Sequence, residues 1–124
     1  MVPEDILYTK DHEWIRIDGQ EAVIGITDYA QSELGEIVFV DVQTVDETLN
    51  QGDTFGAVEA VKTVSDLFMP MGGKVLEFND RLENEPELVN NDPYGDGWMI
   101  RVELSDLSEK DKLLDAKAYQ ELIG

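Results

Sequence analysis

Lys62 is the only Lys or Arg between Arg16 and Lys74, and it lies inside Glu59-Ala60-Val61-Lys62-Thr63-Val64-Ser65-Asp66. The stretch from Ile17 to Val61 contributes ten acids and no base. Phe55 to Val61 and Val64 to Met69 are both rich in strand-forming residues, and so little chain separates them that Lys62 must fall at or beside a hairpin tip. A tip offers its primary amine to solvent and to any enzyme that has to reach it. Most lysines are ordinary surface charges; the isolation and position of this one point to chemistry.

The rest of the chain is poorly supplied with reactive groups. There is no cysteine and a single histidine, His12, so a disulfide framework, a thiolate metal site and a CxxC redox pair are all excluded. One histidine leaves a His-based zinc site or a Ser-His-Asp triad with almost nothing to build on. His12, beside Trp14 at a strand start, reads as structural or surface. Gly72-Gly73-Lys74 has neither the spacing of a phosphate-binding loop nor a helix after it. Demanding chemistry would have to be carried by an added group, and the chain reads as a non-catalytic component.

With 124 residues the chain reads as one domain, 1–124. A hydrophobic fraction of 42% with ten aromatic residues argues for a folded globule, not an acidic disordered tail. Twenty-eight acids against nine bases give a net charge of −19, which repels nucleic acid and anionic membrane alike. Such a surface suits basic protein partners, and it serves solubility equally well. No apolar run is long enough for a bilayer. Met1-Val2-Pro3-Glu4-Asp5 resembles neither a secretory signal nor a transit peptide, so a cytoplasmic protein is expected, or a mitochondrial one if this is a processed form.

The elements that must position Lys62 read as mainly strand. His12 to Ile17 and Glu21 to Ile26 are joined by a turn at Asp18-Gly19-Gln20. Thr27 reads as the N-cap of a short helix that runs through Leu34 and stops at Gly35. Further strands are expected over Ile37 to Val42, Phe55 to Val61, Val64 to Met69, Lys74 to Phe78 and Trp98 to Leu104, with a helical turn around Glu87-Leu88-Val89. From Ser108 or Asp111 to Ile123 the pattern is one helix, with Leu114, Ala118 and Leu122 at steps of four. Gly35-Glu36-Ile37-Val38 echoes Gly73-Lys74-Val75-Leu76, and Phe55 to Glu59 echoes Trp98 to Glu103, which suggests a quasi-symmetric β-sandwich.

Ile24-Gly25-Ile26-Thr27-Asp28, Ala30-Gln31, Leu34-Gly35, Ile37-Val38-Phe39-Val40, Glu59 with Lys62, Pro70 with Gly73, Pro86-Glu87-Leu88-Val89-Asn90, Asp92-Pro93-Tyr94 and Gly97-Trp98 together resemble the H proteins of the glycine cleavage system, from about Leu7 to the C-terminal helix. The resemblance implies a mainly β, hammerhead-type lipoyl/biotinyl domain: two small sheets packed as a flattened barrel or sandwich, with short helices. Its lipoyl-binding core would be 21–103, with a C-terminal helical extension over 108–124. It implies lipoate joined to Lys62 by an amide bond. The arm would travel among glycine decarboxylase, which loads the aminomethyl group, an aminomethyltransferase that unloads it, and dihydrolipoamide dehydrogenase, which reoxidises the dithiol. A lipoate-attaching enzyme is a fourth partner, for which Glu59 and Gly73 would position or present the tip. Glu13 and Asp66 match residues beside the loaded arm. The carrier is expected to be a monomer.

The sequence departs from the family at Ala60, usually Ser, at Tyr29, commonly His, and at Val42-Gln43-Thr44-Val45-Asp46, which replaces a Leu-Pro-x-x-Gly turn. A biotin carrier would have methionine on both sides of its lysine, where Val61 and Thr63 stand. A lipoyl domain of a 2-oxoacid dehydrogenase would be shorter and tethered by Ala/Pro-rich linkers. An H-like protein that relays lipoate to other lipoyl-dependent complexes stays open as an alternative.

Overall fold

The computed structural model describes residues 2–124. Two open antiparallel sheets carry the chain. In chain order the elements are β1 (Leu7–Tyr8), β2 (Glu13–Asp18), β3 (Glu21–Ile26), α1 (Asp28–Leu34), β4 (Ile37–Asp41), β5 (Thr48–Leu49), β6 (Thr54–Ala60), β7 (Val64–Phe68), β8 (Gly73–Phe78), α2 (Arg81–Asn84), α3 (Leu88–Asn91), β9 (Ile100–Leu104), a 3-10 turn (Leu107–Lys112) and α4 (Ala116–Ile123). The six-stranded sheet has the order β1-β2-β3-β9-β8-β5, and the three-stranded sheet β4-β6-β7. The two sheets of the expected hammerhead-type architecture are present, but they do not close into a barrel.

The internal echo has a structural counterpart. Its first halves, in β4 and β8, pair antiparallel with its second halves, in β6 and β9. Each repeat of the sequence is thus one ladder, one in each sheet.

The main core lies between the sheets and includes Ile15, Ile24, Ile37, Val58, Leu67, Met71, Met99 and Val102. Burying each such side chain is worth roughly 1.5–3 kcal/mol relative to exposure. A second cluster of Ile6, Tyr8, Trp14 and Tyr119 seats α4 on the strand edge, with the Tyr8 and Tyr119 rings stacked at 4.6 Å. Gly25 is required there. It is the cross-strand partner of Trp14, and a Cβ would come within 2.8 Å of the indole ring.

Helix α1 begins and ends where the cap residues place it. Thr27 Oγ1 accepts from Ala30 N, and Gly35, at φ 84°, donates its N–H to Gln31 O. Positive φ is cheap only for glycine, so the helix stops here.

Two expectations are corrected. Trp98 and Met99 precede the last strand, which begins at Ile100. The segment after β9 is not one helix: Leu114 exchanges two backbone hydrogen bonds of 2.8 Å with Tyr8, and this bridge divides a 3-10 turn from α4. Asp115 then caps α4 afresh by accepting from Ala118 N. The helical turn expected around Glu87-Leu88-Val89 is present as α3, and α2, which the sequence did not suggest, precedes it.

Candidate functional site

Strands β6 and β7 pair from Thr54 opposite Phe68 to Glu59 opposite Val64. Ala60 N donates to Thr63 O at 2.7 Å and closes the turn, leaving Val61 and Lys62 at the tip. Val61 N donates to Glu36 O at 3.0 Å, so the tip is tied to the chain between α1 and β4. Lys62 is exposed and makes no ion pair among the described residues. Its side chain passes over the cap of α1: a Cβ on Gly35 would lie 3.5 Å from Lys62 Cε. Val61 and Val64, 71% and 64% exposed, flank the amine. The tip can therefore present a neutral acyl chain on Lys62 beside apolar neighbours, and nothing has to unfold for an enzyme to acylate it.

Glu59 is exposed on β6, in one row with Phe39 of β4 and Val64 of β7. Asp66 is exposed two rows further on, opposite Ala57, which also faces Asp41 across the sheet. Gly73 stands apart from the hairpin. It is buried in the six-stranded sheet, paired with Leu49 and Leu104, and a Cβ there would overlap the Glu103 carbonyl oxygen.

Glu13 is the unusual carboxylate of the chain. Only 2% of it is exposed. Thr9 Oγ1 donates to its Oε1 at 2.6 Å, and Phe68 N donates to its Oε2 at 3.3 Å. Burial pushes its pKa up to about 7, against the opposing effect of those two hydrogen bonds. The carboxylate lines a surface depression with Thr9, Lys10, Gln51, Phe68 and Leu114. Asp66 lines a different one, with Asp41, Gln43 and Gly56. Lys62, Glu59 and Asp66 thus share the hairpin, Glu13 joins it through Phe68, and Gly73 lies in the neighbouring sheet.

Sequence reasoning missed Thr9 and gave His12 and Asn90 no part in this site. Thr9 orients Glu13, accepting from the Glu13 backbone N–H at 3.1 Å as well as donating to the carboxylate. His12, at φ 74°, sits 2.8 Å through Nδ1 from the Tyr119 hydroxyl, which in turn lies 2.7 Å from Thr27 Oγ1. Burial lowers the His12 pKa, favouring a neutral ring. This contact makes His12 structural and anchors α4 to the start of α1. Asn90 binds both ends of the α1–β4 connection. Among the described residues no cluster of three His, Asp or Glu could hold a metal ion, and no helix is long and apolar enough to cross a membrane.

The model of the glycine cleavage H-protein family matches residues 6–124. The chain is 56% identical over 122 residues to the glycine cleavage system H protein of Bacteroides thetaiotaomicron, covering 98% of this chain and 97% of the relative. It is 54% identical over 123 residues to the protein of the same name from Staphylococcus saprophyticus, covering 99% and 98%. The crystal structure of a glycine cleavage system H protein from Mycobacterium marinum superposes with a TM-score of 0.87 at 38% identity, over 99% of each chain.

Proposed function

This chain belongs to the glycine cleavage H-protein family, and on that premise we propose that it is a lipoylated, non-catalytic carrier that takes the aminomethyl group of glycine from the decarboxylase to the aminomethyltransferase and is then reoxidised by dihydrolipoamide dehydrogenase. The observation that carries the proposal is Lys62: an exposed amine with no ion pair among the described residues, at the tip of a two-stranded projection, with apolar flanks. The fit to lipoate is chemical. The amine forms an amide, Val61 and Val64 suit an aliphatic chain, and the depression beside Glu13 mixes Phe68, Met69 and Leu114 with one buried carboxylate. Lipoate bound there supplies the disulfide that accepts the aminomethyl group, a redox pair this cysteine-free chain lacks.

The residues of the chain divide the remaining work. Lys62 tethers. Glu59 and Gly73 prepare the tip for the lipoate-attaching enzyme: Glu59 as an exposed charge three residues before the lysine, Gly73 by letting β8 and β9 approach closely. Glu13 holds the ammonium of the aminomethyl group by a charge-assisted hydrogen bond, and Thr9 keeps the carboxylate in place. Asp66, more exposed, adds charge on the outer side of β7. No residue of the chain breaks a bond of the substrate.

Lys62→Arg tests the proposal, because it keeps the charge and removes the acylatable amine. Incubation with a lipoate ligase, lipoate and ATP should add one lipoyl group to the wild-type chain and none to the variant, read by intact-protein mass spectrometry. Loaded wild type should then support glycine-dependent NADH formation with the three partner enzymes. A lipoyl group on Lys62→Arg, or a lipoylated wild type idle in that assay, overturns it.

A further inference from the structure

The segment between β8 and β9 has no task in the carrier reading, yet it grips α1 at both ends. Tyr94 Oη accepts from Asp28 N at 3.1 Å, at the first residue of the helix. At the other end, Asn90 Nδ2 donates to Gln31 Oε1 at 2.8 Å and to Gly35 O at 2.9 Å, while its Oδ1 accepts from Ile37 N at 2.9 Å. The arrangement admits only one orientation of the amide, since two acceptors face its nitrogen and one N–H faces its oxygen. Gln31 is pinned in turn, its Nε2 donating to Asp28 Oδ1 at 2.7 Å.

Gly35 and Ile37, held this way, and Glu36 between them form the shelf on which the lysine tip rests. Gly35, at φ 84°, has no Cβ and leaves its face open to the Lys62 methylenes. Glu36 O accepts from Val61 N, the residue before the lysine. Gly35 and Ile37, on either side of Glu36, are the two residues that Asn90 bonds through the backbone. The tip has few other restraints: Val61 and Lys62 lie beyond the last ladder pair, and Val61 is largely exposed.

We propose that Asn90 is a positioning residue for the modification of Lys62: its carboxamide fixes the Gly35-Glu36-Ile37 shelf and thereby holds the tip in the form a lipoate-attaching enzyme binds. The inference rests on the lipoyl-carrier reading and extends it to a residue remote in sequence. If the tip samples other arrangements without Asn90, the apparent affinity of the enzyme for the carrier falls in proportion to the competent fraction, and turnover at saturation is unchanged.

The experiment compares full-length, unmodified Asn90→Ala with Asn79→Ala in ligase kinetics. Asn79 is a control from the same segment: it is buried and donates to Asp96 O and Trp98 O, away from the shelf. Asn90→Ala should raise the KM for the carrier about tenfold with kcat near wild type. Hydrogen exchange at the Val61 amide should quicken in the same variant while that of Val102 in β9 stays slow. Asn79→Ala should lose stability and keep its KM. If Asn90→Ala does not fold at the assay temperature, Asn90→Asp, which retains the acceptor for Ile37, is measured with the same expectation. A wild-type KM in the folded variant, or an equal rise in Asn79→Ala, overturns the inference alone. Failure of the wild-type chain to be acylated at Lys62 would overturn the carrier reading instead, and this inference with it.

Discussion

Glu13 and Phe68 join the two sheets: the carboxylate of the first residue of β2 accepts the backbone N–H of the last residue of β7 at 3.3 Å. Strand β7 is the edge of its sheet, where N–H groups that point outward meet no further strand. A buried acid satisfies this one, and the strand that leads away from Lys62 is thereby fastened to the larger sheet. The same carboxylate thus serves the fold and, in the proposed function, the cargo.

The first prediction concerns pH. Glu13 has a folded-state pKa of about 7, raised from an ordinary 4.5 by burial. The folded chain therefore binds a proton more tightly than the unfolded one. Its contribution to stability is largest below 4.5 and is lost as pH rises through 7. Unfolding by urea should show a wild-type stability higher at pH 5 than at pH 8 by on the order of 2–3 kcal/mol relative to Glu13→Gln, which cannot ionise. The comparison with the variant cancels the titration of His12 and the surface acids. Equal pH slopes for the two proteins would contradict the assignment.

A second prediction separates Glu13 from Asp66. Carrier loaded with the aminomethyl group, kept without the transferase, should release ammonia several-fold faster in Glu13→Gln than in wild type, because a neutral amide holds the ammonium less strongly than a carboxylate does. Asp66→Asn should have the smaller effect, since Asp66 is exposed and lines a different depression. Decay as slow as wild type in the double variant would assign both residues to the solvated surface.

Tyr119→Phe tests the anchor of the C-terminal helix. It keeps the ring stacked on Tyr8 but removes the hydroxyl that lies between His12 and Thr27. Thr27 still caps α1 through Ala30 N. Loss of one partly buried hydrogen-bond group should cost about 1 kcal/mol, visible as a lower urea midpoint with unchanged lipoylation of Lys62. A midpoint equal to wild type would mean that the three side chains form no energetic unit.

Much of this arrangement was legible in the sequence where the signals are local. Thr27 and Gly35 bound α1 because an N-cap oxygen and a left-handed glycine act within a few residues. The hairpin carrying Lys62 follows from two adjoining β-rich runs. What failed to show are contacts made across long separations. Strands β1 and β5 are two residues each, too short for any periodicity, and exist because Leu7 and Leu49 meet partners in other strands. The helical pattern after β9 is broken at Leu114 by Tyr8, far away in the chain. Lys62 stood out by isolation in an acidic run. Asn90 stood out only as part of a family resemblance, and its three partners lie more than fifty residues away.

Charge supplies a further expectation. The net charge of −19 becomes −20 when lipoylation turns the Lys62 ammonium into an amide (−19 − 1 = −20). The four ion pairs among the described residues lie on the surface, and two of them share Arg101, so most acids have no cation beside them. Charges on such a surface are screened over about 8 Å at physiological salt. At limiting carrier, the turnover of each partner enzyme should fall steeply as ionic strength rises, through association and not through the chemical step. A rate flat from low to high salt would show that the acids serve solubility alone.

The last prediction distinguishes two ways in which Gly73 could matter to lipoylation. Gly73 is paired on both sides, and a Cβ there would overlap the Glu103 carbonyl oxygen of β9. Backbone cannot yield as a flexible side chain does, so Gly73→Ala must push β8 and β9 apart, at a cost of roughly 1–3 kcal/mol. Gly73 is buried and lies in a different sheet from the hairpin, so an attaching enzyme would sense its loss through the fold. Lipoylation of Gly73→Ala should therefore track its folded fraction: impaired near the melting temperature, and restored to nearly the wild-type rate when the protein is cooled to where it is fully folded. Circular dichroism and ligase kinetics over the same temperature range make the comparison. A rate that stays low in the fully folded variant would show instead that the enzyme reads the shape of the β8–β9 ladder around Gly73.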